Sequence, residues 1–259
     1  MFPSEDQYYR ARIIERRDLS DGLWVIRVDP GGAYRFEPGQ YAMLGIVTPE
    51  KYHERAYSIV AAPHEKFLEF FVELVPQGDV TPRLHPFRVS DELNLRKVPK
   101  GRFTLDTTSG RTNHLLLATV TGVAPFVSYA RSLHHQWKDA KFAGEHKLFL
   151  LQGASRSWEL GYREELEQFA AEVSWFTYVP TVSRPWEDNS WKGETGRVDD
   201  LVRKYTDSWG LAAENTTAYL CGHPMMIENT KGILKRRGWQ EDAVKKEASF
   251  VHGMESVTL

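Results

Sequence analysis

The chain has 259 residues, 41% of them hydrophobic and 26% charged, with a formal net charge of −2 at pH 7. This length allows two ordinary domains with sizeable cores, and the near-neutral balance leaves no footprint for nucleic acid or a membrane surface. One cysteine, Cys221, excludes an internal disulfide and any cysteine-held metal or iron–sulfur cluster, no apolar run reaches the roughly 20 residues of a spanning helix, and Met1 to Asp6 lack the pattern of a signal peptide, so a reducing cytoplasm is expected.

Taken in order, the first part of the chain reads as short strands joined by turns. Tyr9 to Arg17 and Leu23 to Val28 flank the turn Ser20-Asp21-Gly22. Phe36-Glu37-Pro38-Gly39-Gln40 is a tight turn before the strand Tyr41 to Val47. Glu54 to Val60, Phe67 to Val75 and Asp91 to Arg96 follow. Strands at this spacing predict an antiparallel β-barrel. Thr81-Pro82-Arg83-Leu84 interrupts it as a short helix, with threonine as N-cap and proline opening the turn.

After Arg111 the rhythm changes to alternating strands and helices. The strands are His114 to Thr119, Lys147 to Gln152, Val173 to Val179 and Thr217 to Cys221. The helices are Ala124 to Trp137, Trp158 to Glu172, Val198 to Tyr205 and Pro224 to Arg237. Leu115-Leu116-Leu117 and Leu148 to Leu151 are continuous apolar runs, as strands buried on both faces require. The alternation predicts a parallel sheet with helical crossovers. The expected fold is therefore two domains: an antiparallel β-barrel over 1–106, then an α/β parallel-sheet domain over 107–259, joined near Thr107-Thr108-Ser109-Gly110.

Within the barrel, Arg55-Ala56-Tyr57-Ser58 sets a cation, an aromatic ring and a hydroxyl on one strand. Alternation puts Arg55 and Tyr57 on one face and Ser58 on the other. Three junctions combine glycine with a helix-opening proline: Gly78 to Pro82, Thr121-Gly122-Val123-Ala124-Pro125, and Cys221-Gly222-His223-Pro224. Each fits ordinary helix-start grammar, and each also fits phosphate, which the free amides and partial charge of a helix N-terminus attract. The last two lie at carboxyl ends of parallel strands, where open α/β sheets take ligands. Neither a Walker A loop nor G-x-G-x-x-G is present, and the nine histidines show no metal-ligand spacing.

A barrel with R-x-Y-S, a later G-x-x-T, T-G-x-A-P opening the second domain and C-G-x-P-x-M near the end resembles the ferredoxin–NADP⁺ reductase family. The bacterial subclass, which works with ferredoxin or flavodoxin, is the nearest match, and the motifs run in order from 8 to 251. The resemblance implies FAD in the barrel domain and NADP(H) in the α/β domain. It places Arg55 on the flavin pyrophosphate, Tyr57 against the isoalloxazine and Ser58 near its reactive N5. Ala56 and Val72 are counted with the flavin contacts, and Asp79-Val80-Thr81 resembles a second pyrophosphate loop. Thr121 and Gly122 resemble the turn where the nicotinamide nucleotide meets the flavin. Val120 departs from the family, which has glycine there.

Cys221 matches the cysteine beside the nicotinamide C4, where it shapes the pocket. Arg156, Arg184 and Arg197 match the arginines that clamp an adenosine 2′-phosphate, favouring NADP(H) over NAD(H). Phe250 matches the aromatic that covers the second flavin face, although His252 to Leu259 extend past the shortest members. Ser58, Cys221 and Phe250 are thus the implied catalytic residues. The implied activity is hydride transfer between nicotinamide C4 and flavin N5, followed by single-electron steps with an acidic ferredoxin or flavodoxin. Arg10, Arg12, Arg16 and Arg17, Lys235-Arg236-Arg237, and Lys245-Lys246 are the candidate docking cations of an expected monomer. Two alternatives stay open: the reductase component of an oxygenase system, or a non-catalytic flavin-binding subunit of a redox complex.

Overall fold

The computed structural model describes residues 5–248, which divide after Thr104 into two units. In the first, β1 (Tyr8–Ser20), β2 (Leu23–Asp29), β3 (Tyr41–Val47), β4 (Tyr52–Ser58), β5 (Leu68–Glu73) and β6 (Glu92–Arg96) form one antiparallel sheet in the order β4-β3-β6-β1-β2-β5. The outermost strands meet where Val60 N–H, just past β4, donates to the Glu69 carbonyl of β5 at 2.9 Å. All six strands expected from the turn spacing are present. β1 pairs with β6 along one edge and β2 along the other; its register against β2 slips at Ile13/Glu15 and Asp18/Ser20, and such bulges bend a strand as closing a barrel requires. Trp24, Ile26, Phe70 and Leu95 are fully buried within its core.

Two local expectations are corrected. Thr81 is not an N-cap: it is the first residue of the one-turn helix α1 (Thr81–Leu84). Its hydroxyl instead accepts from Val75 N–H at 2.9 Å and donates to the Val75 carbonyl at 3.3 Å, tying the helix back to the end of β5. Arg16 is no surface cation either, since its side chain is only 5% exposed. It donates to the carbonyls of His85 (2.6 Å) and Phe87 (2.7 Å) and lies over the Trp24 ring.

The second unit alternates strand and helix: β7 (Asn113–Thr119), α2 (Ala124–Lys138), β8 (Lys147–Ala154), α3 (Arg163–Glu172), β9 (Phe176–Val182), β10 (Glu194–Thr195), α4 (Val198–Ser208), β11 (Thr216–Gly222), α5 (Pro224–Arg236) and β12 (Val244–Ala248). The strands are parallel, in the order β10-β9-β8-β7-β11-β12. Val198, Val202, Met226 and Ile227 of α4 and α5 pack on the sheet face carrying Leu115, Leu117 and Leu220. On the other face α2 sets Tyr129 edge-on against Tyr219 of β11, and Arg131 clamps Glu165 of α3 at 2.6 and 2.9 Å. Helices on both faces explain why these strands read as unbroken apolar runs.

The helix expected over Trp158 to Glu172 begins later. Glu159 accepts from the amides of Ser155 (2.9 Å) and Arg156 (3.1 Å), which folds Ser157–Glu159 into a separate 3₁₀ turn. Tyr162 then takes a left-handed φ of +65° before α3 starts at Arg163. The strand expected from Val173 begins only at Phe176, and β10 and β12 carry too little apolar pattern to be anticipated.

Candidate active site

In the first unit the cation–aromatic–hydroxyl run lies at the end of β4, an outer strand of the sheet order. His53 is buried, Arg55 and Ala56 are exposed, and Tyr57 and Ser58 are half-buried, so the strand emerges from the core along its length. Tyr57 packs edge-on against Phe70, 6.5 Å between centroids, and its hydroxyl is enclosed with no hydrogen-bond partner among the described residues. Burial raises its ionisation far beyond the physiological range, so it is a neutral donor. Tyr34 packs on the same core and its enclosed hydroxyl is likewise unpartnered. Buried phenols normally hold a partner, so two unpartnered ones packed on one core, one of them on the cation-bearing strand, fit a bound group that supplies acceptors.

The loop before α1, expected from the sequence to serve as a second pyrophosphate loop, is tied to this strand. Asp79 sits 2.9 Å from the Nδ1 of buried His53, though without the alignment of a hydrogen bond, and pairs with Lys51 (3.3 Å) and Arg83 (3.5 Å). The neighbouring His53 first, and Lys51 with it, outweigh the opposing effect of burial and hold the Asp79 carboxyl below the usual carboxylate range. Its carboxylate is therefore committed to these three neighbours. Val72 and Val80 are each 1% exposed and belong to the core, where their side chains support the site from below. His53 and Lys51 were missed in the sequence because a pairing with a residue more than 20 positions on has no local signature, whereas Arg83 follows Asp79 by four positions, a helical spacing that could have been read.

In the second unit the strand order decides where a site can lie. The chain adds β8 and β9 to one side of β7, then β11 and β12 to the other, so the order reverses between β7 and β11. Outside the carboxyl ends of such a pair is the crevice where open α/β sheets take ligands. The turn 119–122 and the turn 221–223 both lie there and interlock. Thr119 Oγ1 accepts from His223 N–H at 2.8 Å. A Cβ on Gly122 would stand 2.6 Å from the Cys221 carbonyl carbon and 2.8 Å from Gly222 Cα, so only glycine permits the approach. Gly222 has φ +128°, which also favours glycine.

Val120 takes φ +45°, a region that favours glycine and that a β-branched residue avoids. Its side chain packs on a small apolar cluster of Ala154, Leu160, Val182 and Trp191, which anchors the strained turn. Thr121 is half-exposed, and α2 begins directly after Val123 with no side-chain cap; the Ala124 N–H donates to the Thr121 carbonyl and Pro125 carries no N–H, so the 3₁₀ turn itself closes the start of the helix. Cys221 is 4% exposed, and burial pushes its thiol well above the ordinary range. A neutral thiol is a wall rather than a nucleophile.

Arg156, Arg184 and Arg197 stand at the carboxyl edge of the same sheet, each paired with a carboxylate. Arg156 contacts Glu159 (3.1 Å) and Glu187 (2.5 Å), Arg184 contacts Glu187 (3.5 Å), and Arg197 contacts Asp199 (3.4 Å). Ser183 N–H to the Ala154 carbonyl and Arg184 N–H to the Ser155 carbonyl, both 3.0 Å, hold the first two loops together. Phe250 lies outside the described residues. Of the cations expected to serve docking, Lys245 lies over the Tyr219 ring, Lys246 pairs with Glu228 at 3.6 Å, and Arg237 pairs with Asp207. No described helix is long and apolar enough to cross a membrane, and no cluster of metal-ligating side chains occurs among the described residues.

Residues 11–105 match the oxidoreductase FAD-binding domain family and residues 116–232 the oxidoreductase NAD-binding domain family. A ferredoxin–NADP reductase of Pseudomonas aeruginosa is 30% identical over 243 residues, 89% of this chain and 90% of that protein. The phenol hydroxylase P5 protein of Acinetobacter pittii is 29% identical over 230 residues, 88% of this chain but 62% of its own length. A crystal structure of a ferredoxin NADP⁺ reductase from Neisseria gonorrhoeae, with FAD and NADP bound, shares the fold at TM-score 0.82 and 22% identity, covering 94% of this chain and 99% of that one. Barrel strand, interlocked switch-point turns and end-to-end similarity all point one way: the chain belongs to the ferredoxin–NADP reductase family.

Proposed function

We propose that this protein transfers electrons between NADP(H) and a small protein carrier of the ferredoxin or flavodoxin type, acting as a monomer. The observation that carries the reading is the interlock of the turns at Gly122 and Gly222 outside the carboxyl ends of β7 and β11, where open α/β sheets take ligands. When bound, FAD supplies the N5 that exchanges hydride with nicotinamide C4 and the outlet for single electrons. The chain's own residues supply position and charge. Arg55 meets the flavin pyrophosphate, Tyr57 lends its ring and neutral hydroxyl, and Ser58 presents a hydroxyl at the end of the same strand. The amides of Asp79, Val80 and Thr81 face a second phosphate oxygen set. The turn at Thr121 and Gly122 receives the nicotinamide nucleotide. Cys221 bounds the pocket as an apolar wall, and excluding water there strengthens each polar contact. Arg156, Arg184 and Arg197 meet the 2′-phosphate.

Stopped-flow reduction of the flavin-loaded protein by NADPH and by NADH, followed by mixing with a ferredoxin and a flavodoxin, tests this. The expected result is faster reduction by NADPH and reoxidation by at least one carrier. Reduction by NADH alone, or reoxidation by neither carrier but by an oxygenase component, would replace it with the oxygenase-reductase reading. The similar phenol hydroxylase component is longer, and this chain spans 62% of it. A protein that takes up no flavin would end both.

A further inference from the structure

We propose that Glu187 is a resident rival of the nucleotide's 2′-phosphate and sets how strongly this chain prefers NADPH to NADH. The proposal rests on the reading above that Arg156 and Arg184 meet that phosphate. The two oxygens of Glu187 are divided between the two guanidinium groups: Oε2 lies 2.5 Å from Arg156 Nε, and Oε1 lies 3.5 Å from Arg184 Nη1. Backbone hydrogen bonds between the loops fix the arginines on either side of one anionic group, and the Ser157 hydroxyl donating to Asp188 reinforces them. Guanidinium forks bind carboxylate and phosphate with the same geometry, so Glu187 occupies a place a phosphate group fits.

The neighbouring carboxylates cannot yield in the same way. Glu159 accepts the amides of Ser155 and Arg156 and is 19% exposed. Asp199 is 6% exposed and accepts from Asn229 at 2.7 Å. Asp188 accepts from the hydroxyls of Ser157 and Ser190 and from the Ser190 amide. Glu187 is 32% exposed, lies on the short 3₁₀ turn Pro185–Glu187, and among the described residues its carboxylate is hydrogen-bonded only by the two arginines. Side-chain rotation alone releases it. A nucleotide with a 2′-phosphate must displace Glu187, whereas one with a 2′-hydroxyl need not.

The test measures binding of 2′,5′-ADP and of ADP to the flavin-loaded full chain by calorimetry, in the wild type and in Glu187→Gln, Glu187→Ala, Arg156→Ala and Arg184→Ala. Both Glu187 variants should bind 2′,5′-ADP roughly three- to tenfold more tightly, the worth of one or two partly exposed ion pairs, with ADP unchanged. Unchanged or weaker 2′,5′-ADP binding overturns the proposal, and so does equal tightening for both ligands, which is a general charge effect. If Glu187 variants do nothing while the arginine variants weaken 2′,5′-ADP, the proposal alone fails. Arginine variants that bind 2′,5′-ADP as well as wild type remove the reading beneath it, and the proposal with it.

Discussion

Replacing Gly122 with alanine tests the interlocked turns directly. The added methyl would stand 2.6 Å from the Cys221 carbonyl carbon and 2.8 Å from Gly222 Cα. Carbon atoms in contact prefer about 3.5 Å, so the shortfall is about 0.9 and 0.7 Å. The obstructing atoms are backbone of β11, which is paired on both sides by β7 and β12 and cannot rotate aside. The turn itself must therefore retreat by most of an ångström. Overpacking of this kind costs about 1–3 kcal/mol of stability, and a displacement of ~1 Å at a reacting centre costs on the order of 100-fold in rate. Urea unfolding reports the first quantity, and stopped-flow bleaching of the flavin at saturating NADPH reports the second. Flavin content should stay that of wild type, because the substitution lies outside the first unit. A variant that loses stability but reduces its flavin at the wild-type rate would show that the close approach is only structural.

Three further outcomes are expected. Val120→Gly should be more stable than Val120→Ala by about 1 kcal/mol in urea midpoints, because both lose the packing on Leu160 and Trp191 but only glycine relieves the left-handed φ; the usual order, alanine above glycine, would mean the strain is absent. Burial first, then the neighbouring His146, holds the His114 imidazole down at about 3 against an ordinary 6.5. The unfolded chain takes up that proton first, so stability is full above pH 6.5 and falls below it by up to ~1.4 kcal/mol per pH unit, a slope that His114→Gln should flatten and that an unaltered profile would contradict. Arg55→Ala should loosen FAD by about 1.5–3 kcal/mol in an ultrafiltration or fluorescence titration, the value of a charge-assisted hydrogen bond; unchanged retention would move the pyrophosphate contact elsewhere.

Much of the fold was legible because its patterns are local. The bounds of β3 can be read from Tyr41 to Val47, and the starts of α2, α4 and α5 from Ala124, Val198 and Pro224. Apolar runs marked the central parallel strands. What escaped depends on partners distant in sequence. β12 is Val-Lys-Lys-Glu-Ala, a strand only because the edge of β11 accepts it. α3 starts late because the Glu159 carboxylate organises its own turn. In the candidate site the residue types were legible from short motifs, but their commitments were not. Nothing near Arg184 announces that it shares Glu187 with Arg156, 28 positions away. Val120 stood out in the sequence only as a departure from glycine; packing on Trp191 and its neighbours accompanies a glycine-like turn of the backbone.

The position of β11 has a consequence for how the protein is made. Thr119 at the end of β7 and Thr216 at the start of β11 are 97 positions apart, yet their strands are neighbours. At a synthesis rate of about 5–20 residues per second, roughly 5–20 s pass before β11 follows β7 off the ribosome. Throughout that interval the edge of Leu115-Leu116-Leu117 has no partner on one side, which makes the half-built sheet a target for chaperones or for aggregation. The six strands of the barrel, by contrast, all lie within the first 104 residues. The nascent chain therefore completes the segment that matches the FAD-binding family well before it can assemble the switch point between β7 and β11.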